Sequence, residues 1–92
     1  MGEARQSVVI INKRGLHARA SAKFVEAVAA LPDGCRVQVA KDGTAAAGGS
    51  ILGLMMLGAA KGDAVEIVVE GSEADNALER LVTLVATGFG EE

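Results

Sequence analysis

Apolar and polar positions follow two rhythms along this chain, and the switches between them mark out its elements. A β-branched run, Val8-Val9-Ile10-Ile11, is apolar on both faces and predicts a strand from Gln6 to Asn12. Lys13-Arg14-Gly15 reads as a loop. From Ala18 to Leu31 the period lengthens. Phe24, Val25, Val28 and Leu31 recur at three and four, the stripe of a helix, with Lys23 and Glu26 on its opposite face. Pro32-Asp33-Gly34 stops that helix, because proline constrains the residue before it and Asp-Gly turns the chain. Cys35 to Lys41 alternates, with Val37 and Val39 on one side. Asp42-Gly43 makes a two-residue hairpin turn into a small, Ala-rich strand from Thr44 to Gly48, over which something is expected to pack closely.

Ser50 is a good N-cap for about two helical turns ending near Gly58. This run is apolar nearly all round. Leu54 and Leu57 can face a core together, which leaves Ile51, Leu52 and Met55 partly exposed. A strand from Ala64 to Glu70 follows, with Val65, Ile67 and Val69 on one face. Ser72 to Asp75 resembles a capping box, with Asp75 in the usual Glu or Gln place. The helix after it extends to about Thr87 with Ala74, Leu78, Leu81 and Val85 as its stripe, and residues 88–92 are expected to fray. The order is β-α-β-β-α-β-α. Four strands with helices segregated to one face make an α+β two-layer sandwich with an antiparallel sheet.

Composition narrows the function. The 92 residues suit a single domain spanning 1–92, and with 50% hydrophobic residues but only two Phe its core must come from Val, Ile, Leu, Ala and Met. A net charge of −3 and the scarcity of aromatics argue against nucleic acid, which needs clustered cations and stacking rings. The single cysteine, Cys35, cannot close an internal disulfide, and no signal-peptide pattern opens the chain, so a reducing cytoplasm is expected. Met1-Gly2 lacks the sixth-position Ser or Thr of a myristoylation motif, having Gln6 there. No apolar run reaches the roughly 20 residues of a membrane helix. One histidine without ligand spacing predicts no metal site. Gly53 and Gly58 match no phosphate loop, because no Lys-Ser/Thr pair follows.

The chemically pointed residue is His17, the only histidine, at the start of the first helix and two residues before Arg19. Imidazole, with an ordinary pKa of about 6.5, is a neutral nucleophile near pH 7. A helix N-terminus and an arginine would both favour a phosphoryl group there. Taken alone, the same histidine reads first as a surface or capping residue. Likewise Ser50 alone is a cap, and the apolar run after it alone is core.

Two motifs in register change that weighting. Gly15-Leu16-His17-Ala18-Arg19 is followed by Phe24-Val25, and Ser50-Ile51-Leu52-Gly53-Leu54-Met55 by Leu57-Gly58-Ala59-Ala60-Lys61-Gly62-Asp63. Together they resemble the HPr family, the histidine-containing phosphocarriers of the bacterial phosphoenolpyruvate-dependent phosphotransferase system, over nearly the whole chain. The likeness is nearest to variants of nitrogen-type or regulatory systems. The resemblance implies the open-faced β-sandwich fold. It implies that His17 is phosphorylated on Nδ1 by Enzyme I and then read by an Enzyme IIA, that Arg19 lies beside the phosphoryl group, and that Ser50 is the target of an HPr kinase/phosphorylase. Ile51, Leu52 and Met55 would fall on the docking patch. Such a protein is a monomeric carrier with a phosphohistidine intermediate, not a stand-alone catalyst, and it needs no cofactor. Two positions depart from the family pattern: Ala20 stands where proline usually follows the arginine, and Gly49 where lysine often precedes the serine.

A regulatory module remains open as the second reading, with phosphorylation at His17 or Ser50 controlling partner binding and no sugar transported. An enzyme acting on a small molecule is disfavoured, because the sequence offers no second acid/base candidate near His17 and the chain is too small for a deep pocket.

Overall fold

The computed structural model describes residues 2–91. Its strands are β1 (Gly2–Val9), β2 (Arg36–Lys41), β3 (Thr44–Ala47) and β4 (Ala64–Gly71), and its helices α1 (Ala18–Ala29), α2 (Ile51–Met56) and α3 (Ala74–Ala86), in the order β-α-β-β-α-β-α. The four strands form one antiparallel sheet in the order β1-β4-β2-β3. The last strand in sequence therefore lies inside the sheet, between β1 and β2. The expected fold is the one observed.

β1 starts earlier and ends earlier than its apolar run suggests. Gly2 to Ser7 has little intrinsic strand character, yet it pairs residue for residue with β4, from Gly2 opposite Gly71 to Val9 opposite Ala64. Ladder pairing overrides the local preference. Only Ala4 along this strand is buried, and Arg5 reaches Glu66 across the open face at 3.6 Å. Past Val9 the partner turns away at Lys61-Gly62. Ile10 still donates to the Asp63 carbonyl (2.9 Å) and accepts from the Gly62 N–H (2.8 Å), but Ile11 and Asn12 leave the sheet.

The hairpin forms as expected. Asp42 and Gly43 both hold positive φ, 51° and 85°, the requirement of a twist-matched two-residue turn, and Lys41 faces Thr44. Close packing at the end of β3 falls on Gly48, where a Cβ would lie 2.7 Å from Val37 Cγ1. Most of β3 itself is exposed, with Ala46 half-buried.

The core is one cluster between the sheet and the helices. Val37 and Val39 from β2, Val65, Ile67 and Val69 from β4, and Leu54 and Leu57 from α2 and its cap all enter it, as their alternation predicts. Helix α3 contributes Ala74, Leu78, Leu81 and Val85, with Ala77 in addition. Helix α1 buries Ala20, Ser21 and Phe24, so its stripe begins a turn earlier than the Phe24–Leu31 pattern implies. Leu31 lies past the helix end and is half-buried.

Two expectations fail at the C-terminal end. The residue preceding α3 is Glu73, in a left-handed conformation (φ 58°) with no side-chain cap, so no capping box forms at Ser72. The box is out of register by one, and the contact made instead is from Asn76 Nδ2 to Glu73 Oε1 at 3.3 Å. The chain after α3 is also no frayed tail. Gly88, Phe89 and Gly90 all hold positive φ (69°, 59° and 74°) and hook the chain back under α1. Phe89 is 2% exposed. A left-handed phenylalanine costs about 1–2 kcal/mol, which burial of its ring offsets at about 1.5–3 kcal/mol. Glu92 lies outside the described residues.

Candidate functional site

The loop between β1 and α1 delivers His17 to the helix start. Gly15 carries it there in a left-handed turn (φ 63°), so close to the chain that a Cβ would lie 2.3 Å from the Ala59 carbonyl oxygen. Leu16, buried behind it, donates its N–H to that same carbonyl at 3.0 Å. His17 is the N-cap of α1 with extended backbone (φ −77°, ψ −179°). Its carbonyl accepts the first intrahelical bond, from the Ser21 N–H at 2.9 Å. The N–H groups of Ala18, Arg19 and Ala20 precede that bond and point out of the helix end. One of them, from Arg19, donates to His17 Nδ1 at 3.3 Å.

The other ring nitrogen meets a group the sequence did not disclose. His17 Nε2 lies 2.9 Å from Oε2 of Glu91, with both side chains 19% exposed. Glu91 is therefore an acid/base group beside His17, which corrects the expectation that none would be there. Its other oxygen, Oε1, accepts from Asn12 Nδ2 at 3.1 Å. Asn12 is 3% exposed and also donates to the Gly15 carbonyl at 2.9 Å. Flipping its amide would set an oxygen against two acceptors, so its orientation is fixed. Its Oδ1 is buried without a partner among the described residues. Lys23 Nζ donates to the Phe89 carbonyl at 2.8 Å, tying the C-terminal hook to α1. Lys23 is thus half-buried structure, not the solvated face its spacing suggests.

The charges are unevenly arranged. Arg14, His17, Arg19, Lys23, Gly90 and Glu91 line an open depression of about 420 Å³, with three cations against one carboxylate. Partial burial pushes the Glu91 carboxyl up, but the hydrogen bonds from His17 and Asn12 and the charges of His17 and Lys23 outweigh it. The net effect holds Glu91 below the usual carboxylate range. The Arg19 side chain is exposed and reaches the site from the second position of the helix. Ala20, where the proline was expected, has its methyl wholly buried in the core, leaving its backbone N–H at the helix end.

Ser50 caps α2, its hydroxyl accepting from the Gly53 N–H at 2.9 Å. Of the residues after it, Ile51, Leu52 and Met55 are 40%, 68% and 41% exposed, and Met56, which the pattern did not single out, is 76% exposed. Helices α1 and α2 pack against each other. Sequence reasoning missed Asn12, Lys23, Met56 and Glu91. Arg19 and Lys23 are four apart on one helix face, a spacing that could have brought Lys23 in. Nothing local could have found Glu91, which is 74 residues from its partner.

Comparison with known proteins agrees with this architecture. A family profile described as the PTS HPr component phosphorylation site matches residues 4–87. The chain belongs to the HPr family, the phosphocarrier components of the phosphotransferase system. It is 44% identical to the phosphocarrier protein HPr of Neisseria meningitidis serogroup A over 87 residues, which cover 95% of this chain and 96% of that one. It is 35% identical to the phosphocarrier protein NPr of Escherichia coli K12 over 91 residues, covering 96% and 97%. Among solved structures, HPr-C-His from Thermoanaerobacter tengcongensis superposes with a TM-score of 0.86 at 37% identity, covering 100% of this chain and 99% of that one.

Proposed function

We propose that this protein carries its phosphoryl group on Nδ1 of His17, receiving it from Enzyme I and passing it to an Enzyme IIA. The observation that carries this reading is the position of His17: it caps α1 with Nδ1 turned toward the N–H groups of the helix end. A phosphoryl group on Nδ1 would meet those N–H donors and the positive end of the helix dipole, worth roughly 0.3–2 kcal/mol. The Arg19 guanidinium, with Arg14 beside it on the same depression, adds planar donors suited to phosphate oxygens. In loading, the Nδ1 lone pair attacks phosphorus as the donor's bond to phosphorus breaks, and the freed electron pair stays with the donor. In unloading, the acceptor's lone pair attacks phosphorus and the Nδ1–P electron pair returns to Nδ1. Phosphoryl transfer depends mainly on positioning and charge, so a shallow, cation-rich depression suffices.

The exposed apolar face of α2 supports the docking role given to Ile51, Leu52 and Met55, and Met56 extends it. Methionine side chains suit a surface that must adapt to more than one partner. Ser50 has a structural use already, as the α2 cap. Its modification by an HPr kinase/phosphorylase would place a phosphate where the cap oxygen now accepts the Gly53 N–H. The purely regulatory reading is not favoured, since the family and both named relatives are phosphocarriers. Similarity to an NPr keeps the nitrogen-type branch beside the sugar-type one.

The test is phosphorylation by phosphoenolpyruvate and Enzyme I. Wild-type protein is expected to take up label in an acid-labile, base-stable form and surrender it to an Enzyme IIA. His17→Ala is expected to take up none, and labelling of that variant at the wild-type level would sink the proposal.

A further inference from the structure

The geometry assigns Glu91 a positioning role: it fixes His17 in the tautomer that carries its proton on Nε2, and it keeps that proton on the ring through a transfer cycle. The inference rests on the reading of His17 as phosphoacceptor and adds to it a residue from the far end of the chain.

Two independent contacts select the same tautomer. The Arg19 backbone N–H can only donate, so Nδ1, at 3.3 Å, must accept and carry a lone pair. The ionised Glu91 carboxylate can only accept, so the 2.9 Å contact at Oε2 requires a proton on Nε2. The neutral imidazole has one proton to place, and both neighbours place it on Nε2. The remaining charged groups facing the ring are Arg14 and Arg19, from the loop and α1, and Lys23, from the next turn of α1. All are cations, and none can accept the Nε2 proton.

The carboxylate is held for this task from three directions. Asn12, buried in the β1–α1 loop, donates to its second oxygen at 3.1 Å. The Glu91 N–H donates to the Gly88 carbonyl at 2.9 Å. The left-handed Gly88-Phe89-Gly90 hook between them is anchored by the buried Phe89 ring and by Lys23 on the Phe89 carbonyl at 2.8 Å. A tail that merely needed tying down would require neither an ionised group on the histidine nor a buried amide aligning it.

The consequence for transfer follows from the proton count. When the Nδ1 lone pair forms its bond to phosphorus, the donor's bond breaks and its electron pair leaves with the donor. No proton leaves the ring. The ring becomes a cation with Nε2–H facing the Glu91 carboxylate, an ion pair that the neutral, unloaded ring does not make. When the phosphoryl group moves on, the Nδ1–P electron pair returns to Nδ1 and the same neutral tautomer is restored. Glu91 never touches the phosphoryl group.

Because His17 is the only histidine, its ring nitrogens are unambiguous in a ¹⁵N spectrum of the whole protein. At a pH where the ring is neutral, wild-type protein is expected to show Nε2 protonated and Nδ1 bare. Glu91→Ala is expected to show a measurable Nδ1–H population, and Glu91→Gln, whose amide oxygen still accepts, to retain the wild-type pattern. In the phosphorylated form the pH midpoint for losing the Nε2 proton is expected to fall by about one unit or more in Glu91→Gln, because the opposite charge is gone. A wild-type ring protonated on Nδ1, or the same tautomer balance and midpoint in all three proteins, overturns the assignment. Failure of His17 to be phosphorylated would instead overturn the proposed function, and the tautomer comparison in the unphosphorylated proteins would still decide the role of Glu91.

Discussion

At the scale of single residues, the site is a chain of unlike hydrogen-bonding partners. Asn12 donates to Glu91, Glu91 contacts His17, and His17 accepts from the Arg19 backbone. The two outer links have fixed directions, and the three together hold a half-buried imidazole in one orientation. The same links make stability depend on pH. The Glu91 carboxyl is held below the usual range in the folded protein, so it contributes stability above the pKa it has in the unfolded chain. That contribution is lost as pH falls through its folded value. Denaturation of wild type and Glu91→Ala should therefore give a stability gap at neutral pH that closes on acidification below the carboxylate range. A gap that stayed constant down to strongly acidic pH would show that the carboxylate's charge contributes nothing.

At the scale of elements, the C-terminal hook is the part that does most with least sequence. Three residues, Gly88, Phe89 and Gly90, reverse the chain with a run of positive φ angles. The glycines adopt these angles freely, whereas Phe89 is held there by burial of its ring at 2% exposure and by the Lys23 bond to its carbonyl. Phe89→Ala should cost about 3–5 kcal/mol, the usual loss for emptying a buried phenylalanine site. It should also release Glu91 from His17, seen as a shift in the His17 ring signals. Chemical denaturation measures the first effect, and a loss under about 1 kcal/mol would mean the hook is not anchored by its ring.

At the scale of the whole molecule, the fold separates two surfaces of different character. The mouth of the β1–α1 loop gathers cations and one carboxylate around His17, while α2 turns Leu52 and Met56, its most exposed apolar residues, to solvent. The core below both is complete without those side chains, since Leu54 and Leu57 already fill α2's inner side. Leu52→Glu should leave stability within about 0.5 kcal/mol, as is usual for a surface change, while slowing phosphoryl transfer to and from partner proteins. Thermal unfolding alongside transfer kinetics checks this, and an unchanged transfer rate would remove Leu52 from the docking surface.

Much of this protein was legible in its sequence. The alternation of Val37 and Val39 and of Val65, Ile67 and Val69, the Asp42-Gly43 turn, and the stripe of α3 each depend on periodicities of two or 3.6 residues, which are local and survive in any context. The two motifs placed His17 at a helix start and Ser50 at a cap by the same short-range rules. What only the tertiary structure decided depends on contacts between residues distant in sequence. β1 begins at Gly2 because β4 offers a ladder there, not because Gly2 to Ser7 favours a strand. The capping box at Ser72 fails because the backbone turns left-handed one residue later, at Glu73. Glu91 reads as a charged residue near a frayed end until Phe89 finds the core and swings it against His17, across 74 positions of chain. Periodicity and capping chemistry can place a histidine at the end of a helix. Only packing can bring a carboxylate from the other end of the chain against its ring.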